Sequence, residues 1–433
     1  MSFLVSRGGQ TGERPARRGE RLTVTRARYP LYLTSTACSY LGDGMRVTAL
    51  PLLAVSLSAG PREVAAVAAA AGLPWLLFGL PAGVLVDRLP RARLMAALQA
   101  IRGGLGAAAV VGVLTGSIGV AALAILAFLL GSCEVVFDIA SHAILPELVS
   151  RQRLPRANGS LIVAHVTAFD FVGPLLGGVL FTVAAALPLA MDAATFVVSA
   201  VLLYVIARST AAAPQAVDVA REALWRQLAE GLRWFARAPL IRTLTLLTTS
   251  INLGLGGFYA VLVLFARDEL GLGPTGYGVL LAVGAIGSVV AGALAGALRR
   301  GRDHRLVALL AAPAVAVCFT AMALFPDHVS TGVAMVLFGL AVSLFNVVGM
   351  SVRQTQVPTA ILGRVLSVHR MLCWGAVPVG AMLAGTVAAT AGLRWAVGAC
   401  AAAVVLVWLG TLRAVLFSRP AQFVEEHAQQ LTR

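Results

Sequence analysis

GVAALAILAFLLGSCEVVFDIASH, residues 119–142, carries no charge over its first fifteen positions and then two acids, Glu134 and Asp138, one helical turn apart. As an α-helix rising about 1.5 Å per residue, it can cross a hydrocarbon core of about 30 Å, which needs about 20 apolar residues. Stretches of the same kind recur on both sides of it, at 30–57, 63–86, 94–115, 157–184, 188–207, 240–266, 275–298, 305–325, 329–352, 362–388 and 394–417. With 119–142 they make twelve predicted spans, numbered one to twelve in chain order. Nearly all the charge lies between them, and 59% of the chain is hydrophobic against 12% charged, a balance that no soluble core requires. Lipid offers the backbone no hydrogen-bond partner, so segments of this length must bond internally as helices. The chain is expected to be an all-α polytopic membrane protein.

The 34 basic residues are all arginine, since no lysine occurs. A nucleotide-binding P-loop, a protein-kinase site and Schiff-base chemistry each depend on a lysine and are excluded. The formal charge of +15 does not point to nucleic acid either, because the arginines lie in loops between helices and not on one basic face. They report topology instead. With both termini cytoplasmic, 28 arginines lie at the cytoplasmic side, three (Arg62, Arg267, Arg394) outside and three (Arg46, Arg102, Arg370) within spans, the bias of a positive inside.

Residues 1–29 form an Arg-rich cytoplasmic tail, expected to be disordered and attracted at most to anionic lipid, with no apolar stretch of a cleavable signal peptide. A long linker, 208–239, separates an N-terminal half at 30–207 from a C-terminal half at 240–417, and 418–433 is a second cytoplasmic tail. In the linker Leu224, Trp225, Leu228, Leu232 and Phe235 share a helical face opposite Arg221, Arg226, Arg233 and Arg237, the pattern of a helix lying on the membrane surface. Cys38, Cys133, Cys318, Cys373 and Cys400 sit in apolar runs without C-x-x-C pairing and are expected to be inert.

The halves echo one another. Gly83-Val84-Leu85-Val86-Asp87-Arg88 follows span two, and Gly292-Ala293-Leu294-Ala295-Gly296-Ala297 follows span eight at an offset of 209; Pro174 and Pro378 are offset by 204. Such offsets suggest duplicated six-helix halves around a central cavity. The stretch from Gly83 through Asp87, Arg88 and Arg91 to Arg93 resembles the loop signature G-x-L-x-D-R-x-G-R-R of the major facilitator superfamily, with Pro90 and Ala92 as departures.

Leu41-Gly42-Asp43-Gly44, Glu134 to Asp138 with Leu145-Pro146, Leu154 to Asn158, and Gln354 to Arg364 are similar to the drug:proton antiporter branch that includes macrolide efflux proteins and enterobactin exporters. Gly173, Pro174, Gly177 and Gly178 resemble the exporter core G-P-x-x-G-G, although Phe169 and Ser160 stand where the full motif has glycines. Span four lacks the arginine of other drug antiporters and carries Glu134 and Asp138 instead. The resemblance implies the major facilitator fold, twelve helices in two pseudo-symmetric halves. It also implies that Gly83, Asp87, Arg88 and Arg91 form a gate, Asp87 latching onto a helix N-terminus across the halves.

Charge inside a bilayer is costly and usually functional. Asp43 and Asp170 lie near mid-depth, and with Glu134 and Asp138 they are the candidates for a coupling proton. Asp43 can also be read as an i, i+3 partner of Arg46. Arg102 and Glu134 each lie eight residues from the cytoplasmic end of their spans, so an ion pair is expected between them, with Asp138 as the alternative partner. Asp192 reads as a helix N-cap near the outside.

Asn252, Tyr259, Asn346 and Trp374 are candidate cavity residues, and His165 and His369 read as hydrogen-bonded interior histidines. Gly271 to Gly276 matches G-x-G-x-x-G but follows a span and not a strand, so it reads as a tight turn.

These readings converge on a monomeric exporter of an apolar or amphiphilic small molecule, working by alternating access and proton antiport in a bacterial-type cytoplasmic membrane. Its partners are substrate, protons and lipid, with no cofactor and no metal. A dedicated siderophore or self-made-antibiotic exporter reads alike. A membrane enzyme or receptor would need a catalytic motif that the sequence lacks.

Overall fold

The computed structural model describes residues 15–57, 60–79, 81–209, 232–295, 302–357 and 359–417. Its helices account for all twelve spans: Pro15–Ser56, Pro61–Phe78 with Pro81–Arg88, Arg91–Leu114, Val120–Leu148, Leu154–Val183, Leu187–Ser209, Pro239–Asp268, Pro274–Ala295, Arg302–Leu324, His328–Gln356, Thr359–Ala391 and Leu393–Phe417. Among the described residues nine are long and apolar enough to cross a membrane, and the bent pair in span two is a tenth.

Three spans depart from the expected straight rods. The first is already helical from Pro15, so half of the tail expected to be disordered continues the helix through Pro30. Span two breaks after Phe78 and turns by 65° into Pro81–Arg88. Pro81 supplies no N–H, and its ring crowds the carbonyl four residues back, which ends the first helix there. Span five contains a π-helical segment, Val166–Val172, between α-helical ends. The linker at 210–231 lies outside the described residues. At its end Phe235 is buried against Ile241, Val357, Val365 and Val368, so this residue packs into protein and not onto the membrane surface.

The helix pairings repeat across the halves. Span one packs on five and six, three on four and six, and two on four; span seven packs on eleven and twelve, nine on ten and twelve, and eight on ten. The halves meet through span two against eleven and span five against eight, contacts that exchange under the same pseudo-symmetry.

Small residues make these approaches possible. A β-carbon on Gly173 would stand 2.7 Å from the Cα of Gly44, one on Gly177 2.8 Å from the Met45 carbonyl, and one on Gly178 2.5 Å from the Pro274 carbonyl. The motif in span five is therefore a packing surface for spans one and eight. The symmetric contact sets Gly72 of span two 3.5 Å from the Pro378 ring, measured from an added β-carbon.

The halves are closed at the arginine-poor end, where the hydroxyls of Thr182 and Thr275 are 2.9 Å apart and Gly385 lies against Ala65. Toward the arginine-rich end they part. Gly173–Val183 packs on span eight, whereas the first turns of span five, Leu154–His165, pack on spans one and four of their own half. Gly83 has open space where a β-carbon would project, so no helix approaches this gate glycine closely in this conformation.

Candidate functional site: a buried charge cluster beside a central cavity

Four spans of the N-terminal half converge on a group of charged side chains. Asp43 and Arg46 lie on successive turns of span one, and Asp43 Oδ1 accepts from Arg46 Nη2 at 2.5 Å. The same oxygen accepts from Nη2 of Arg102 on span three, and Ser39 Oγ donates to Oδ2 at 3.4 Å. Glu134 of span four accepts from Arg46 Nη2 at 2.7 Å. Asp192 of span six places Oδ2 3.7 Å from Arg46 Nε.

Arg102 is fully buried, donates to Gln99 Oε1 at 3.1 Å, and lies 4.0 Å over the Phe196 ring, a cation–π contact that helps hold a desolvated guanidinium. Gln99, Ser199 and Ser35 extend the polar chain, at 2.9 Å and 2.8 Å.

Glycines again permit the convergence. A β-carbon on Gly106 would stand 2.9 Å from that of Ala193, and one on Gly42 2.5 Å from Asp192 Oδ1. Gly42-Asp43-Gly44 thus has three jobs in a row. Gly42 leaves room for the span-six carboxylate, Asp43 binds both guanidiniums, and Gly44 admits span five.

One sequence expectation is met in part here and another is corrected. Arg102 lies within ion-pair range of Glu134, at 3.8 Å, but its closest partner is Asp43, while Glu134 is held more tightly by Arg46. Equal depth along two helices sets the level of a side chain but not its direction around the axis, and Asp43 stands between them. Asp138, the alternative partner, turns to His142 on its own helix at 3.8 Å. Asp192 is not a cap. Its helix starts at Leu187, and the residue is 1% exposed inside the cluster.

Beside the cluster lies a cavity of about 300 Å³ between the halves, lined from spans one, five, seven, eight and ten by residues that include Asp170, Tyr259, Phe338 and Ser343. Asp170 lies on the π-helical segment, where its Oδ2 meets His165 Nδ1 at 3.4 Å. A π turn often marks a functional site.

Of the other cavity candidates, Trp374 stacks on Trp75 across the halves with ring centroids 5.0 Å apart. Asn252 donates to the Cys373 carbonyl at 3.0 Å, so this amide joins span seven to span eleven and does not line the cavity. Asn346 is exposed on span ten and is likewise not among the lining residues. His369 meets Thr245 Oγ1 at 3.1 Å.

In the loop motif Asp87 is 3.5 Å from Arg91, which donates to the Ala143 carbonyl at 3.2 Å and pairs with Glu147. Arg88 ends the short second helix of span two.

A family profile described as transmembrane secretion effector, of major facilitator type, matches residues 27–429. The chain belongs to this family. Among its relatives, the multidrug efflux pump Tap of Mycolicibacterium fortuitum is 29% identical over 378 residues, covering 84% of this chain and 90% of that one. Tap of Mycobacterium tuberculosis (strain ATCC 25618 / H37Rv) is 28% identical over 399 residues, covering 88% and 92%.

Solved structures share the fold at low identity. A bacterial homologue of the human lysosomal transporter Spinster has a TM-score of 0.69 at 13% identity, over 93% of this chain and 97% of that one. The nucleoside transporter NupG reaches 0.71 at 14%, over 90% and 100%. The protein is a multi-pass membrane transporter of the major facilitator superfamily.

Proposed function

We propose that this transporter exports an apolar or amphiphilic small molecule from the cytoplasm by alternating access, in exchange for protons. The observation that carries the reading is the cavity between the halves, closed at the arginine-poor end and walled mainly by apolar side chains with a few polar ones, the usual character of a small-molecule site. The relatives named as multidrug efflux pumps support export.

By the arginine bias the open end faces the cytoplasm of a bacterial-type cell, with both termini on that side. Substrate enters there, and rocking of the two halves about the paired interfaces of spans two with eleven and five with eight opens the other end. Its work is transport and not catalysis, carried out by a monomer in lipid.

Proton exchange is supported by the cluster, in which three carboxylates face two guanidiniums: Asp43, Glu134 and Asp192 against Arg46 and Arg102. Fully ionised, the group carries a net negative charge out of water, a state that protonation relieves. Asp87, turned toward Arg91 in this conformation, is free to act as a latch when the cytoplasmic end closes.

The reading is tested in inverted membrane vesicles with a panel of cationic, neutral and anionic amphiphilic dyes. At least one dye should accumulate on an imposed pH gradient and leak out when a protonophore is added. If no dye in the panel moves, the export reading falls. Reporter fusions in the linker 208–239 and at 58–62 should report inside and outside respectively, and the reverse would overturn the orientation.

A further inference from the structure

We propose that Asp192 holds the exchanged proton, a role that rests on the antiport reading and goes beyond it by naming the carrier. The charges that face Asp192 are few. Span one contributes Asp43 and Arg46, span three Arg102, and span four Glu134, with the thiol of Cys133 beside it. The count leaves one negative charge in excess, so one carboxyl in the group is the natural seat of a proton.

The partners of the three acids differ. Asp43 takes hydrogen bonds from both guanidiniums, and Glu134 takes one from Arg46 with its side chain 31% exposed. Asp192 takes none. Its Oδ1 is buried without a hydrogen-bond partner, and its Oδ2 is beyond hydrogen-bond reach of Arg46 Nε, which is itself unpaired. A buried carboxylate in that setting lacks the bonds that would stabilise its charge, whereas the neutral acid tolerates it.

The unpaired Nε supplies the second state. When Asp192 gives up its proton, the new carboxylate draws the Arg46 guanidinium across the remaining gap. That shift loosens Arg46 from Glu134, the most exposed acid of the cluster, and the proton leaves to water on that side. Reprotonation returns Arg46 to Asp43 and Glu134. One O–H bond breaks on Asp192 and one forms on water. Because Asp192 sits on span six, packed on spans one and three, the exchange pulls on the packing of the N-terminal half.

Two measurements test the assignment. In infrared spectra of the purified protein, the wild type should show a buried carboxylic-acid carbonyl band that titrates with pH. The band should be missing in Asp192→Asn and kept in Glu134→Gln, and its survival in Asp192→Asn would overturn the proposal. Gly42→Ala, whose β-carbon would stand 2.5 Å from Asp192 Oδ1, should shift the band without abolishing it, and an unmoved band would count against the assignment equally.

In inverted vesicles, Asp192→Asn should lose accumulation of ethidium on a pH gradient while still exchanging ethidium down its own gradient. Gradient-driven accumulation equal to wild type would refute the role. If the wild type itself ignores the gradient, the antiport reading fails, and the infrared band still decides where the proton sits.

Discussion

The N-terminal and C-terminal halves share one wiring diagram and almost none of its chemistry. Between residues 240 and 417 the acids are Asp268, Glu269, Asp303 and Asp327, all at helix ends. The N-terminal half buries Asp43, Arg46, Arg102 and Asp192 between its helices, with Glu134 at their edge. The interior of the C-terminal half is aromatic instead. Phe319 lies 5.2 Å from both Phe258 and Phe338, joining spans seven, nine and ten. Duplication thus preserved the helix contacts, which depend on small residues and backbone, while the buried cluster of paired acids and arginines stands in one copy, the C-terminal half burying the single arginine Arg353 near the end of span ten. One half should be sensitive to charge, and both should be equally sensitive to volume.

The sharpest way to break that contrast is Asp43→Leu, which removes the carboxylate shared by two buried guanidiniums. Breaking a buried pair typically costs about 3–5 kcal/mol, so folded yield and thermal midpoint in detergent should fall steeply. Adding Arg102→Leu should restore part of the loss, and no recovery would mean that Asp43 acts through packing alone.

Next come the glycine contacts. Gly177→Val in the N-terminal half and Gly380→Val in the C-terminal half each force a side chain onto backbone, of Met45 and of Leu253 respectively. Overpacking costs about 1–3 kcal/mol or more, and the two variants should lose thermal midpoint to a similar degree. A marked asymmetry would show that the scaffold is not shared.

Smaller still is Asn252→Leu. Asn252 follows Asp43 by the 209-residue offset of the loop repeat, and it makes one neutral hydrogen bond to the Cys373 carbonyl. About 0.5–1.5 kcal/mol should be lost, far less than at Asp43. Equal losses at the two positions would erase the distinction between the halves.

The twelve spans were legible because hydropathy over twenty residues is an average that tolerates local error. The i, i+3 spacing of Asp43 and Arg46 was legible because a helix places such residues on neighbouring turns. The ion pair of Arg102 with Glu134 was legible from their common depth, but its closer bond to Asp43 was not, since depth can be counted along a sequence whereas rotation about the axis depends on which neighbour the helix meets. Asp192 was hidden by its nearness to a helix start, where an acid has an ordinary explanation. Gly42 and Gly106, which let span six come close, were the signal available. The break at Pro81 follows from proline chemistry but was absorbed into a continuous apolar run. No residue pattern announces the π segment at 166–172, which places Asp170 beside His165 and the cavity.

The smallest expected effect lies outside the membrane, where the halves should again behave alike because water screens both. Asp327 caps span ten, its Oδ1 accepting from the backbone N–H groups of Val329 and Ser330 at 3.0 and 2.9 Å. Glu63 does the corresponding work at the start of span two, accepting from the Gly60 N–H at 2.7 Å. The Ser330 N–H, with that of Val329, holds the Asp327 carboxyl below its ordinary 3.8. A depressed carboxylate adds stability that is complete above the unfolded pKa and disappears as pH falls through the lower folded value. Asp327→Ala should therefore lower the thermal midpoint slightly at neutral pH, and the gap to wild type should close as pH falls below the ordinary carboxylate range. Asp327→Asn, which can still accept from the same N–H groups, should keep most of the midpoint. A gap that persists unchanged in acid would assign the loss to something other than the ionised cap.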